Sequence, residues 1–263
     1  EMTQSKEEVS VLLTFVRHGE TLYNRSRTIQ GQLDIPLSNE GLEQADKLGR
    51  FIKCNAQKTH GTQCFSFVPT PQLIVKSPLS RASETAIRVR KEAGWESIQM
   101  LDNDLVKEIC FGQCEGFKYM DILKNLVSDS QIQNLLNVST IDGFQKDPVT
   151  NWGKVGVFWK QNPSFKIPNM EDKEREYQPS SNIMETPDDL IDRAKDYIDY
   201  IGQTASQQNC EYFHVATFSH GFYLRVLLSE ILSECNHAKI HIPVNLWNTS
   251  VSSVQVQLIL NDG

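Results

Sequence analysis

Two short stretches of this sequence share one form: Arg17-His18-Gly19 and Ser219-His220-Gly221. Each follows an apolar, β-branched run, Val9 to Val16 in the first case and Phe213 to Phe218 in the second. Runs of that kind read as buried strands. In open α/β sheets ligands gather at the carboxyl ends of strands, so both histidines fall where a site belongs. Histidine changes its charge near neutral pH, which fits it for proton transfer at such a place. The glycine after each lets the backbone turn tightly and come close to a ligand. A lone histidine is more often a hydrogen-bonded structural residue, and His60, His214, His237 and His241 read that way. His18 and His220 share a position and a glycine neighbour, and that pairing argues for chemistry.

The elements that must position them follow from pattern. Ser38 opens a helix in which Leu42, Ala45, Leu48, Gly49 and Ile52 recur at helical spacing. Leu73 to Val75 forms the heart of a second strand, and Ile98 to Leu101 suggests a third. Ser77 is expected to cap a helix with Pro78 at its first position, running to about Ala93. A weaker helical pattern covers 117 to 136. From 137 to 185 the period is lost among four prolines and the mixed-charge run Glu171 to Glu176. That stretch reads as a long insertion, partly ordered through Trp152, Phe158 and Trp159. Thr186, Pro187 and Asp189 form a capping box for a helix whose stripe is Leu190, Ile191, Ala194, Tyr197, Ile198 and Ile201. Ser219 is expected to cap a further helix reaching about Leu232, and Val251 to Leu260 alternates like an edge strand. Strands alternating with helices predict an α/β fold: three layers, α/β/α, with a mostly parallel central sheet.

Composition narrows the function classes. The chain has 263 residues, 39% hydrophobic, with 33 acidic and 26 basic residues and a formal charge of -7. It can bury a sizeable core. The acidic balance speaks against nucleic acid and anionic membranes as partners, but not against one small anion held by local charge. No stretch approaches the apolar length of a membrane span. Glu1 to Ser10 is polar and lacks the apolar core of a secretory signal. The six cysteines are scattered without zinc-ligand spacing, so reduced thiols and a cytoplasmic location are expected.

Beyond the two histidine stretches, longer motifs carry a resemblance. Arg17-His18-Gly19-Glu20-Thr21 is followed by Asn24, Gln30-Gly31, Pro36-Leu37-Ser38 and Gly41-Leu42-Glu43-Gln44-Ala45. Then come Ser77-Pro78-Leu79-Ser80-Arg81-Ala82 with Thr85-Ala86, and Glu108-Ile109-Cys110-Phe111-Gly112 with Glu115-Gly116. Ser219-His220-Gly221, Arg225 and Asn248-Thr249 complete the set. In this order they resemble the histidine phosphatase superfamily, which includes phosphoglycerate mutases and fructose-2,6-bisphosphatases. The resemblance implies a phosphomonoester hydrolase that passes the phosphoryl group through a phosphohistidine on His18. It assigns His220 as the supporting partner, Arg17 and Arg81 as phosphate clamps, and Glu108 as the proton donor, with Glu20 and Glu115 as alternatives. It also implies substrate contacts from Asn24, Gln30, Gly31, Glu20 and Thr249. The residue types suit that chemistry. A transferred phosphoryl group spreads charge over three oxygens, and guanidinium groups meet those oxygens two at a time. Arg225 is balanced between a structural ion pair and a substrate role.

The Gln30-Gly31 step and Asp34 to Ser38 look closest to TIGAR-type and fungal small-phosphatase members, so hydrolysis is expected, on a small phosphorylated metabolite such as a sugar (bis)phosphate. Phosphoglycerate mutase activity and a partner-binding module with low turnover are the alternatives. The chain departs from the family's pattern at Ile183-Met184, where members commonly carry a glycine pair before the Glu-Thr step. Cys110 also stands where many have a charged or aromatic residue. One domain spanning 1–263 is expected, with 117–185 as an inserted cap over the substrate. Lys146, Lys154, Lys160, Lys166 and Lys173 read as solvated, with a second phosphate as the other possibility. No metal or cofactor is expected, and the oligomeric state, monomer or dimer, is left open.

Overall fold

The computed structural model describes residues 8–56, 68–162, 164–166, 177, 181, 183–208, 210–236 and 246–259. The chain divides into two units: residues 1–20, 36–107 and 192–263 form the first, and 21–35 with 108–191 form the second.

The first unit holds a five-stranded sheet. Its strands are β1 (Glu8–Arg17), β2 (Leu73–Lys76), β3 (Gln99–Asp102), β4 (Tyr212–Ser219) and β5 (Val251–Ile259), in the order β3-β2-β4-β1-β5. Neighbours from β3 to β1 are parallel, and β5 runs antiparallel to β1 at one end of the order. The helices are α2 (Asn39–Ala56), α3 (Ser80–Ala93), the later turns of α8 (Pro187–Gln207) and α9 (Gly221–Asn236). β2 is buried at all four residues, as a parallel strand covered on both faces must be. Alternation along the strands then assigns the two faces. Val16, Ile74, Ala216 and Phe218 pack with Ala45 and Ile52 of α2 and with Ala86, Val89 and Ala93 of α3. Val11, Leu13 and Phe15 instead share an apolar cavity with Tyr197 and Ile201 of α8 and with Leu227 and Ile231 of α9. Each buried side chain of that size contributes about 1.5–3 kcal/mol. The predicted α/β/α layering is observed.

The second unit is helical: α1 (Leu22–Ser26), α4 (Tyr119–Ser128), α5 (Ser130–Leu136), α6 (Ile141–Lys146), α7 (Pro148–Gln161) and the first turn of α8. Trp152 anchors it, with ring centroids 5.4 Å from Phe144, 6.0 Å from Phe111 and 6.3 Å from Tyr119. The single helical pattern expected over 117–136 is two helices. They part at Asp129, whose carboxylate accepts the N–H groups of Gln131 and Ile132 and so starts α5.

Other expectations need correction. α6 and α7 lie in the stretch that looked aperiodic. α3 starts at Ser80, not Pro78, and Leu79 precedes it without a side-chain cap. Ser219 does not cap α9; its hydroxyl donates to the Val106 carbonyl at 2.7 Å. The capping box of α8 is present: the Asp189 carboxylate accepts the Thr186 N–H and hydroxyl, and Thr186 Oγ1 accepts the Asp189 N–H.

Among the described residues no helix is long and apolar enough to cross a membrane. Cys54, Cys110, Cys114 and Cys210 are in no disulfide. His60, Cys64, His237, His241, the run 171–176 and Leu260 lie outside the described residues.

Candidate active site

The register of β1 against β4 explains the matched motifs. Arg17 pairs with Ser219, and the His18 N–H donates to the Ser219 carbonyl at 3.0 Å. The residues that follow, His18 and His220, therefore leave the sheet side by side, with ring centroids 5.2 Å apart. β2 lies on the other side of β4 and ends in step with it, since the Ser77 N–H donates to the Phe218 carbonyl. That brings Ser77 Oγ to 2.8 Å from His220 Nε2. Arg81 enters from the first turn of α3 and is fully buried, as are both histidines. Arg17, His18, Arg81 and His220 are thus gathered in the first unit.

The backbone around His18 is held from several sides. Gly19 N–H donates to Thr85 Oγ1 at 3.0 Å, and the Thr85 hydroxyl donates to the Arg81 carbonyl. Thr249 N–H reaches the carbonyls of Arg17 and His18, and Asn248 Nδ2 donates to the His18 carbonyl at 3.0 Å. Thr249 adopts a left-handed φ of 55° to do so. Expected as a substrate contact, Thr249 spends its N–H on the histidine's own backbone. Arg17 donates to the Leu246 carbonyl. Its guanidinium passes so close to Gly221 that a Cβ there would lie 3.0 Å from Nε.

Protonation follows from these partners. His18 Nδ1 is 2.7 Å from the Gly19 carbonyl, which can only accept, so Nδ1 carries the hydrogen. Nε2 of the neutral ring then holds the lone pair. Burial, then Arg81 and Arg17, push the His18 pKa well below its ordinary value. His220 is lowered too, by burial first and then by Arg81, His18, Arg17 and Arg193. With both pKa values held well below the ordinary histidine value, both rings are neutral at pH 7 in the absence of a bound anion.

Glu20 also belongs to the first unit. Its carboxylate accepts the Ser38 hydroxyl at 2.9 Å and its N–H donates to Gln44, which ties it to the start of α2. Arg225 lies over the Phe222 ring at 5.7 Å. His214, read as structural, is buried and bonds Thr14 Oγ1 at 2.9 Å.

The other expected residues are in the second unit. Asn24 Oδ1 accepts the Thr21 N–H and hydroxyl, closing a capping box for α1, and Gln30 Oε1 accepts the same hydroxyl. Gly31 has φ 52°, and a Cβ there would strike the Glu115 carboxylate. Glu115 is buried and accepts the N–H groups of Gln32 and Phe111, both at 2.9 Å. Glu108 accepts the Ile109 N–H on its carboxylate and Gln32 Nε2 on its carbonyl. Glu185, in the segment that departs from the family's pattern, accepts the Cys110 N–H at 2.7 Å. Lys160 pairs with Asp189 at 2.8 Å, while Lys146, Lys154 and Lys166 are exposed. Lys173 lies outside the described residues. Among the described residues no three His, Cys, Asp or Glu side chains are grouped to hold a metal ion.

Sequence reasoning passed over two residues here. Ser77 looked like a helix cap, although its place one residue past β2 matches that of His18 past β1. Arg193 gave no signal beyond being one charge on a surface helix.

Comparison with known proteins agrees with this layout. The family model for the histidine phosphatase superfamily (branch 1) matches residues 13–134 and 159–258. A Xenopus laevis protein named fructose-2,6-bisphosphatase TIGAR is 38% identical over 106 residues, which is 40% of this chain and 34% of that one. A Danio rerio protein named fructose-2,6-bisphosphatase TIGAR B is 37% identical over 118 residues, 44% of this chain and 40% of the relative. The chain therefore matches well under half the length of either relative. Among solved structures, a phosphoglycerate mutase from Bacillus anthracis superposes with a TM-score of 0.66 at 20% identity, covering 97% of this chain and 94% of that one. A mycobacterial glucosyl-3-phosphoglycerate phosphatase gives 0.56 at 18% identity, covering 92% and 90%. At those identities the structures speak for the fold alone; the motif match speaks for the family. The chain belongs to the histidine phosphatase superfamily.

Proposed function

We propose that the chain is a phosphomonoester hydrolase that works through a phosphohistidine on His18. The observation that supports this most is the group of two neutral, buried histidines at the carboxyl ends of β1 and β4 with Arg17 of β1 and Arg81 of α3. His18 needs no deprotonation at pH 7, and its Nε2 lone pair attacks phosphorus in line. Arg17 and Arg81 neutralise the equatorial oxygens. A bound phosphoryl dianion favours protonation of His220, which then adds a third donor. The bond from phosphorus to the ester oxygen breaks, and Glu108 gives that oxygen its proton. Water then attacks the phosphohistidine, Glu108 takes a proton from it, and inorganic phosphate leaves.

The favoured substrate is a small phosphorylated metabolite of the sugar bisphosphate class. The names of the TIGAR relatives support that class. A panel of sugar bisphosphates, phosphoglycerates and nucleotide monophosphates ranks the candidates. With a ³²P-labelled phosphoester the wild type is expected to yield an acid-labile, base-stable phosphoprotein and to release phosphate. His18→Ala is expected to abolish labelling and lower turnover at least about a thousandfold while remaining folded. A wild type that forms no phosphoprotein ends the proposal and leaves a binding module. Predominant isomerisation of phosphoglycerate over phosphate release replaces hydrolase with mutase.

A further inference from the structure

The three residues before Glu108 have every backbone carbonyl held within the first unit. Arg193 of α8 donates from Nη1 to the Leu105 carbonyl at 2.9 Å and to the Lys107 carbonyl at 2.7 Å. Ser219 of β4 donates its hydroxyl to the carbonyl between them, that of Val106, at 2.7 Å. The two hydrogens on one guanidinium nitrogen serve two carbonyls, and the rest of the group lies over the Tyr223 ring, 4.8 Å from its centroid. At the other end of the segment Asn103 Oδ1 accepts the Leu105 N–H at 2.8 Å. Val106 is fully buried, so this peptide has no slack on its side-chain face either.

Asp104–Val106 is a single 3-10 turn, and the carbonyls at the end of such a turn have no partner within it and are ordinarily met by solvent; here an arginine and a serine collect them together with that of Lys107. The residue they lead into is Glu108. Ser219, moreover, is the residue before His220. We infer that Arg193, with Ser219, is a positioning residue for the proton donor: together they hold the backbone of 105–107 that leads into Glu108. This rests on the phosphohistidine mechanism above and adds to it a residue that acts through the peptides before Glu108.

A misplaced proton donor has a particular kinetic signature. An alkyl phosphate needs a proton on its departing oxygen, whereas p-nitrophenyl phosphate expels a stabilised phenolate without one. kcat/KM, which covers the steps through phosphohistidine formation and leaves out its hydrolysis, where Glu108 serves both substrates alike, is therefore compared on an alkyl phosphate and on p-nitrophenyl phosphate for wild type, Glu108→Gln, Arg193→Met and Arg193→Lys. Phosphohistidine labelling from the aryl substrate reports the rest of the site. Arg193→Met is expected to lose about a hundredfold on the alkyl phosphate. Its loss on the aryl phosphate should be about tenfold smaller or less, in parallel with Glu108→Gln, and Arg193→Lys should recover part of it. Equal losses on both substrates in Arg193→Met overturn the inference, because they mark a general structural defect. Should Arg193→Met not fold, Ser219→Ala, which removes the Val106 anchor, is read by the same ratio and decides the matter. A wild type that neither labels nor hydrolyses either substrate fails the mechanism itself, an outcome distinct from a wild type that works and an Arg193 variant without the substrate split.

Discussion

The glycine that follows His220 separates two demands that a sequence presents as one. It was read as leaving room for a ligand, and the room is taken by Arg17, whose Nε would lie 3.0 Å from a Cβ at Gly221. Gly221 opens α9, and its φ is not among the left-handed ones. Alanine there suits the helix better than glycine by roughly 0.5–1 kcal/mol. The same methyl group displaces the guanidinium by a few tenths of an ångström, and clamps are sensitive to shifts of that order. Gly221→Ala is therefore expected to match or exceed the wild type in thermal stability while kcat/KM falls about tenfold or more. Denaturation scans beside steady-state kinetics check both halves. A variant with unchanged kcat/KM would show that Arg17 moves aside without consequence. Residue types at this scale were largely legible: His18, His220, Arg17 and Arg81 meet as read. The hydrogen-bond partners that orient them were not. Ser77, Thr85 and Asn248 stand within the motifs, but the bonds they make, to backbone groups or single nitrogens, leave no pattern in a sequence, and Arg193 gave no signal at all.

At the scale of elements, legibility followed amphipathic contrast. The α8 helix was readable from Thr186, Pro187 and Asp189 because capping residues at fixed offsets announce a helix start. α7 was not readable. Its buried face combines Asn151, Trp152, Gly153, Val155, Gly156 and Trp159, so small and polar residues hide the apolar stripe. The glycines are there for close packing: a Cβ on Gly153 would lie 2.9 Å from Pro187 Cγ, and one on Gly156 would lie 3.3 Å from the Glu185 carbonyl. α7 thus lies against the segment that starts α8. Gly153→Val tests the argument. Proline cannot swing away as a flexible side chain can, so overpacking is expected to cost about 1–3 kcal/mol despite the better helix propensity of the replacement. Urea denaturation measures it. Unchanged or increased stability would mean that α7 and Pro187 separate freely.

For the whole molecule, the buried histidines set how stability depends on pH. His214, on β4, is buried against Thr14, and burial lowers its pKa to about 4. In the unfolded chain it titrates near its ordinary value of about 6.5. Between those values the unfolded chain binds a proton that the folded one refuses, so unfolding is favoured as pH falls. The stability due to neutral burial is thus complete above about pH 6.5, declines through the window, and is gone below about pH 4. Its size is about 3 kcal/mol, from one proton over the width of the window. His18 and His220 act in the same direction, since both pKa values are depressed. They differ in one respect: a phosphate anion between Arg17 and Arg81 counters the arginine field that adds to burial in lowering them, whereas it leaves His214 alone. Unfolding free energy is accordingly expected to rise steeply from pH 4 to 6.5. His214→Gln should flatten that rise by about 1.4 kcal/mol per pH unit, one proton's worth. Saturating inorganic phosphate should flatten a separate part of it, in His214→Gln as in the wild type. Denaturant titrations across the range, with and without phosphate, resolve the two contributions. A slope untouched by His214→Gln would mean that the strand opens locally to let the proton in.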